Sequence, residues 1–495
     1  MDNPPSIKKN FLLNAILTVS GFVFPLITFP YVLRTILPDG TGKVDFATAL
    51  IAYFNMFAQL GIPAYGIRAT AKARDNKLEL SRVTQELTLI NLIMSIFMYG
   101  CLAVALLVIP RLFEDRLLYV IISSTLLFNA IGMNWLYSGL ESYSYITVRS
   151  LIFKIIAVVL TFAFVKQPSD YVIYGAITVV ASVGSNIFNL IHARQFVRWR
   201  PINELRFKQH FKAIGVFFAM ACATTAYTNL DSVMLGFMTT DTDVGYYGAA
   251  VKIKRILVSV ITSLGAVLLP RSSYYIEKGE MEEFRKLSRK AINFVSIAAF
   301  PLVLYFMLFA KEGINLLSRN KYAGSIIPMQ IIMPTVLLIG ITNIMGMQIM
   351  IPLGKEKDVL VSVIWGAVTD LILNALLIPT YKASGAAIGT VAAELVVLIV
   401  QCISLKSKIR ELFSDVKYIK IIIAIIGGVV LSLWVKWLPL SENELGSFIS
   451  LAISAVCFFG TYLAVLLLMK EKFVCETIKS TGRFINKLKG HGKND

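Results

Sequence analysis

Fourteen apolar stretches, most of about 20 residues or more, follow one another along the chain. They lie at about 11–37, 45–66, 84–109, 117–139, 144–165, 171–192, 209–239, 243–269, 291–316, 325–352, 357–379, 383–405, 416–438 and 446–470. A run of this length is a membrane-crossing helix, because hydrocarbon offers the backbone no hydrogen-bond partners and only helices and closed barrels supply their own. The expectation is an all-α polytopic membrane protein with about fourteen transmembrane helices. Composition agrees: 56% of the 495 residues are hydrophobic and 16% charged, with a mean hydropathy of +0.70, where a soluble chain carries about a quarter charged residues. A soluble enzyme, a nucleic-acid-binding domain and a disordered scaffold are excluded together.

The charges that remain are ordered. With the N-terminus cytoplasmic, the inner segments hold Lys8 and Lys9, the Arg68–Arg82 group, the Arg194–Lys208 group, the Arg271–Lys290 group, Lys355 and Lys357, and Lys406–Arg410. The outer loops hold only Lys43, Arg111, Arg116, Lys166, Arg319, Lys321 and Lys382. Counting the basic tail, about 30 cations lie inside and about 7 outside, as the positive-inside rule requires. The net charge of +18 is thereby explained without a nucleic acid partner, and both termini are expected in the cytoplasm of a bacterial plasma (inner) membrane protein. The first stretch follows lysines as a signal peptide does, but it is too long for an h-region and lacks an A-x-A site, so it is expected to remain as the first helix. Beyond Lys470, Val474, Ile478, Ile485 and Leu488 recur at helical spacing among lysines and predict an amphipathic helix on the inner leaflet.

Cysteine and histidine point to no metal and no cofactor. The five cysteines (Cys101, Cys222, Cys402, Cys457, Cys475) are dispersed without a C-x-x-C pair, and His192, His210 and His491 stand apart. No loop exceeds about 20 residues, which leaves no room for an appended catalytic domain. No G-x-x-x-x-G-K-[ST] loop is present to bind ATP.

The chain repeats itself once. ILPDGTGKVDFATALI after the first helix and FMTTDTDVGYYGAAVKI after the seventh share an acidic turn, a glycine (Gly42, Gly245) and a small-residue helix start. Six helices separate them, so the halves are parallel repeats: a six-helix lobe over 1–208, a second over 209–408, then two extra helices and a basic tail over 409–495. Two such halves imply a transporter with its site between them.

The residues also carry a family resemblance. NFLLNAILTVSGFVFPLITFPYVLRTILPDGTGKVDFATALIAYFNMFAQLGIPAYGIRATAKARD resembles the N-terminal signature of bacterial polysaccharide flippases, the O-antigen and capsule repeat-unit transporters of the multidrug/oligosaccharidyl-lipid/polysaccharide exporter superfamily. YTNLDSVMLGFM around Asp231, LLPRSSYYIEKGE around Arg271, and TDLILNALLIPTYKASGAAIGTVAAE from Thr369 to Glu394 resemble later segments of the same family. The resemblance implies paired six-helix lobes alternating between inward-open and outward-open forms. It implies, as cargo, an undecaprenyl-pyrophosphate-linked oligosaccharide whose tail stays in the membrane lipids. Glycosyltransferases and a polysaccharide polymerase are the partners such a transporter works beside.

Ionisable residues at membrane depth cost about 3 kcal/mol or more if they face lipid. Lys154, Lys252, Lys254, Arg255, Asp370 and Glu394 lie near the middle of their helices, and Arg34, Asp45, Arg149 and Asp231 are shallower. The substrate-binding candidates are Arg34, Arg149, Lys154, Lys252 and Arg255, because Arg and Lys hold phosphate oxygens. Lys252 and Arg255 are three apart and share a helix face. Asp231, Asp370, Asn374 and Glu394 are the candidates for a coupling H⁺ or Na⁺, or for neutralising the lysines. Pro25 and Pro30 are candidate hinges in the first helix. Tyr145, Tyr171, Tyr174, Tyr227, Tyr246 and Tyr247 would stack on sugar rings or form an interfacial belt. A multidrug or small-cation antiporter on the same fold would want an acidic cavity, whereas here the deep Lys and Arg outnumber the deep carboxylates; a membrane polysaccharide polymerase would want a long outer loop with catalytic residues, and none is present.

Overall fold

The computed structural model describes residues 7–200, 205–406, 408–438 and 443–476. Fourteen long helices run through these residues, which hold no strand. They are α1 (7–36), α2 (38–59), α3 (Lys77–Val108), α4 (Arg116–Gly132), α5 (Tyr143–Phe164), α6 (Pro168–Gln195) and α7 (Lys208–Met238). The second half continues with α8 (Asp241–Glu277), α9 (Met281–Leu308), α10 (Ala323–Met350), α11 (356–381), α12 (383–405), α13 (Tyr418–Trp437) and α14 (Glu444–Leu468). Eleven runs among the described residues are long and apolar enough to cross a membrane. Two of these are broken internally by non-helical residues, Leu37 and Lys382, and the charged α8 is the remaining helix. The protein is an all-α, multi-pass membrane protein, as the hydropathy pattern predicted.

Local chemistry sets the breaks. Leu37 (φ 66°, ψ 171°) ends α1 because Pro38 after it disfavours the helical region for the residue before a proline. Backbone angles stay helical at Pro25 and Pro30, the two candidate hinges. Asn76 starts α3 by accepting from the backbone N–H groups of Leu78 (3.0 Å) and Glu79 (3.2 Å), which satisfies donors that a helix start leaves orphaned. Asn443 does the same for Gly446 at α14 (2.8 Å).

The chain forms two compact units: Met1–Gly248 with Asn374–Ala383, and Ala249–Leu373 with Ser384–Asp495. The first boundary falls inside α8, past the division at 208/209 expected from helix counting. In the first unit, α1 packs on α5 and α6 through Val32, Ile36, Ala157, Val165 and Ile177. A second core at the α2–α3 end joins Ile62, Leu87, Trp135, Tyr137, Ile146 and Ile214. In the second unit, Tyr305, Phe309 and Phe458 tie α9 to α14, and the Tyr462 hydroxyl donates to the Ile297 carbonyl at 2.8 Å. Large apolar side chains such as Leu107, Ile419 and Leu468 are 77%, 74% and 81% exposed, a surface that only lipid would cover without penalty. Of the expected tail helix, Val474 is buried at the end of the described chain; Ile478, Ile485 and Leu488 lie outside the described residues.

Candidate functional site

α5 carries two cations, Lys154 at its middle and Arg149 nearer its start. Lys154 reaches α1, where its Nζ donates to the Ser20 hydroxyl at 2.7 Å and approaches the Leu17 carbonyl at 3.5 Å. Gly21 beside it has no side chain; a Cβ there would stand 3.9 Å from Nζ. Arg149 points the other way and is 7% exposed. It donates to the Ser185 carbonyl (3.1 Å) and to Asn134 Oδ1 (3.0 Å), inside an amide network that also includes Asn186 and Asn189. No carboxylate among the described residues forms an ion pair with either cation. Both charges are held by neutral acceptors. Lys154 is half-buried and keeps donor capacity for a further partner; Arg149 is clamped and would act on an anion through its field.

At the end of this unit where α1 turns into α2, charges are paired. Lys43 lies 3.3 Å from Asp115, Arg111 2.5 Å from Asp241, and Lys382 3.4 Å from Asp243. The glycines of the internal repeat meet in the same place. A Cβ on Gly42 would fall 1.7 Å from the Asp241 carbonyl oxygen, and one on Gly245 2.0 Å from the Pro38 carbonyl oxygen. The starts of α2 and α8 therefore touch backbone to backbone, and each glycine is there for the other helix.

Among the other candidates, Arg34 is half-buried on α1. Asp231 on α7 accepts from Asn374 at 2.6 Å and from the Tyr247 hydroxyl. Asp231 and Asn374 thus meet, though 143 residues separate them. In the second unit Asp370 and Glu394 are 2% and 3% exposed. Lys252 and Lys254 are half-buried there, and Arg255 is exposed, so the shared helix face does not give its two cations equal burial. Tyr145 is stacked on His192 at 3.9 Å and Tyr171 donates to Asp115 at 2.6 Å, engagements that hold rings the sequence offered for sugar stacking.

Two features escaped the sequence reading. A cavity of about 330 Å³ opens between α2, α4 and α7, its polar lining made of Asn55, Gln59, Asn129 and Thr225. Near the foot of α7, Glu86 and His210 are 0% and 2% exposed and paired at 2.7 Å. Uncharged amides at helical spacing give no signal, and the Glu86 and His210 positions are 124 residues apart.

Comparison with known proteins adds three findings. A family model described as "Polysaccharide biosynthesis protein" matches residues 7–276, more than half of the chain. Two proteins named "Putative O-antigen transporter" are similar over most of their length. That of Escherichia coli (strain K12) is 25% identical over 401 residues, 80% of this chain and 95% of that one. That of Shigella dysenteriae is 26% identical over 405 residues, 79% and 98% respectively. A solved structure titled "Lipid II flippase MurJ, inward closed conformation" superposes with a TM-score of 0.69, covering 93% of this chain and 99% of that chain at 14% identity. It shares the fold.

Proposed function

The chain belongs to the polysaccharide biosynthesis protein family, and on that footing we propose that it flips a lipid-linked oligosaccharide across the membrane. The cargo is a repeat unit on undecaprenyl pyrophosphate, carried from the cytoplasmic to the outer leaflet of the plasma (inner) membrane by alternating access, with both termini cytoplasmic and H⁺ or Na⁺ as coupling ion. The protein breaks no bond of its cargo. The relatives named as O-antigen transporters and the fold shared with a flippase support this reading.

One observation in the molecule carries it furthest: Lys154, at the middle of α5, is held by the neutral Ser20 hydroxyl, and among the described residues no carboxylate forms an ion pair with it. A cation that deep is expensive unless something anionic visits it. A pyrophosphate head supplies that anion, and a donor held by one hydroxyl can turn to it and let it go again. Arg149, 7% exposed, biases the same region without touching the cargo. Arg34 in the first unit and Lys252 and Arg255 in the second are the further phosphate-binding groups of this reading, and Asp231, Asp370, Asn374 and Glu394 serve ion coupling.

Deleting the gene tests this. Lipid-linked repeat units are expected to accumulate on the cytoplasmic leaflet while their synthesis continues, followed by labelling the sugars in sealed, oriented vesicles. Normal arrival of the units on the outer leaflet in the deletion strain rejects the flippase reading.

A further inference from the structure

Glu86 on α3 is the most completely buried carboxylate of the first unit, at 0% exposure. It accepts from His210 Nε2 at 2.7 Å, from Gln209 Nε2 at 3.1 Å, and from the backbone N–H of Arg206. The other ring nitrogen of His210, Nδ1, is 2.7 Å from the hydroxyl of Tyr65, which lies on the short helix Ile62–Ala73. The three side chains form a line, Tyr65–His210–Glu86, which joins the short helix, α3 and the first turn of α7.

This line accepts a proton without rearranging. With a neutral imidazole, Nε2–H donates to Glu86 and the Tyr65 hydroxyl donates to Nδ1. With an imidazolium, Nε2–H still donates to Glu86 and Nδ1–H now donates to the Tyr65 oxygen. Only the hydroxyl hydrogen turns. The net charge of the cluster changes from −1 to 0, and the first of these is the costly one, because a buried carboxylate served only by neutral donors keeps much of its desolvation penalty. Protonating His210 turns the contact into a charge-assisted pair. Among the described residues, the neighbouring charged groups include Arg82, one turn before Glu86 on α3 and paired with Glu79 at 2.7 Å, Arg68 on the short helix, whose positive charge bears on Tyr65, and Lys208 and Arg206 at the start of α7. Lys208 and Arg206 are exposed, and so is Arg68. Solvent screens them far more than it screens Glu86.

We propose that Tyr65, His210 and Glu86 form a proton-binding site, and that proton occupancy of His210 sets how firmly the foot of α7 is held against α3. The proton enters from the water at this end of the unit and rests on Nδ1. α7 carries Asp231 farther along, where Asn374 and the Tyr247 hydroxyl bind it, so tightening or loosening the foot acts on the same helix that holds a coupling candidate. The proposal gives the H⁺ of the flippase reading an address and rests on that reading for its role in transport. The proton site itself does not depend on it.

The test has two arms. In nanodiscs holding the full chain labelled with ¹⁵N-histidine, His210 is identified by the signal lost in His210→Gln. The isosteric Glu86→Gln is expected to weaken proton uptake at His210 about tenfold or more. Tyr65→Phe, which leaves the ion pair intact, is expected to shift uptake less. In the second arm, delivery of lipid-linked repeat units in oriented vesicles is compared with and without an imposed pH gradient. The ratio of the two rates is expected to exceed one in the wild type and to fall to about one in Glu86→Gln at matched abundance. A His210 that takes up no proton, or takes it up equally well in Glu86→Gln, or an unchanged ratio in Glu86→Gln, overturns the proposal and leaves the line a clamp. If wild-type vesicles deliver no units at all, the flippase reading fails, and the titration alone still decides whether the site binds a proton.

Discussion

Two sets of cations in the first unit answer to opposite rules. At the end where α1 turns into α2, Lys43, Arg111 and Lys382 each face a carboxylate, Asp115, Asp241 and Asp243 in turn. On α5, Arg149 and Lys154 face serine, asparagine and backbone carbonyls. Placing neutral partners where the dielectric is lowest, and charged partners where water is near, is the reverse of what stability alone would select. In the proposed reading, the paired end is structural and the α5 cations are the part of the unit that meets the anionic head of the cargo.

The strongest way to break the paired end is to separate the two helices that meet there. Gly42→Val would drive a side chain into the Asp241 carbonyl oxygen, which already lies 1.7 Å from the nearest possible Cβ. A backbone carbonyl cannot swing aside as a side chain does. The variant is expected to lose most folded protein, read as membrane abundance and as Tm in detergent; normal levels would mean that the glycine contact is dispensable. Arg149→Met comes next. It removes two hydrogen bonds from a buried guanidinium, about 1.5–3 kcal/mol each for bonds to a charged group, while Asn134 Oδ1 keeps Asn189 (3.1 Å) and the Ser185 carbonyl keeps the Phe188 N–H (3.2 Å). Its Tm should fall clearly below that of Lys154→Met, and equal Tm values would blur the distinction drawn between the clamped and the available cation. Smallest is Lys43→Ala: a half-buried pair near the membrane surface contributes about 1 kcal/mol or less. Thermal scans should barely move and transport should persist, whereas loss of transport would move Lys43 into the cargo path.

Much of this was legible in the sequence because apolar length and charge asymmetry are one-dimensional signals. Lys154 stood out as a cation in the middle of an apolar run, and its surroundings proved unusual for the same reason. Helix limits were less legible where amphipathic turns extend a span. α9 begins at Met281, ten residues before its apolar stretch, because Glu282 to Lys290 are helical but polar and hydropathy discounts them. The internal repeat located Gly42 and Gly245, but only three dimensions supply the reason they are glycines, since each is shaped by the other's helix. Glu86 and His210 gave no signal at all. A glutamate among the polar residues that start α3 looks like any other until a histidine 124 residues away closes over it.

The central claim is that a cation at the position of Lys154 meets the anionic head of the cargo. Flipping of lipid-linked repeat units in sealed, oriented vesicles, compared between wild type, Lys154→Arg and Lys154→Glu at matched membrane abundance, tests it most directly. A like charge about 4 Å from a phosphate repels by about 4 kcal/mol at an effective dielectric near 20, about a thousandfold in affinity. Lys154→Arg is expected to keep most of the rate and Lys154→Glu to lose it to background. A Lys154→Glu protein that flips at the wild-type rate would contradict the account and return Lys154 to the helix packing around Ser20.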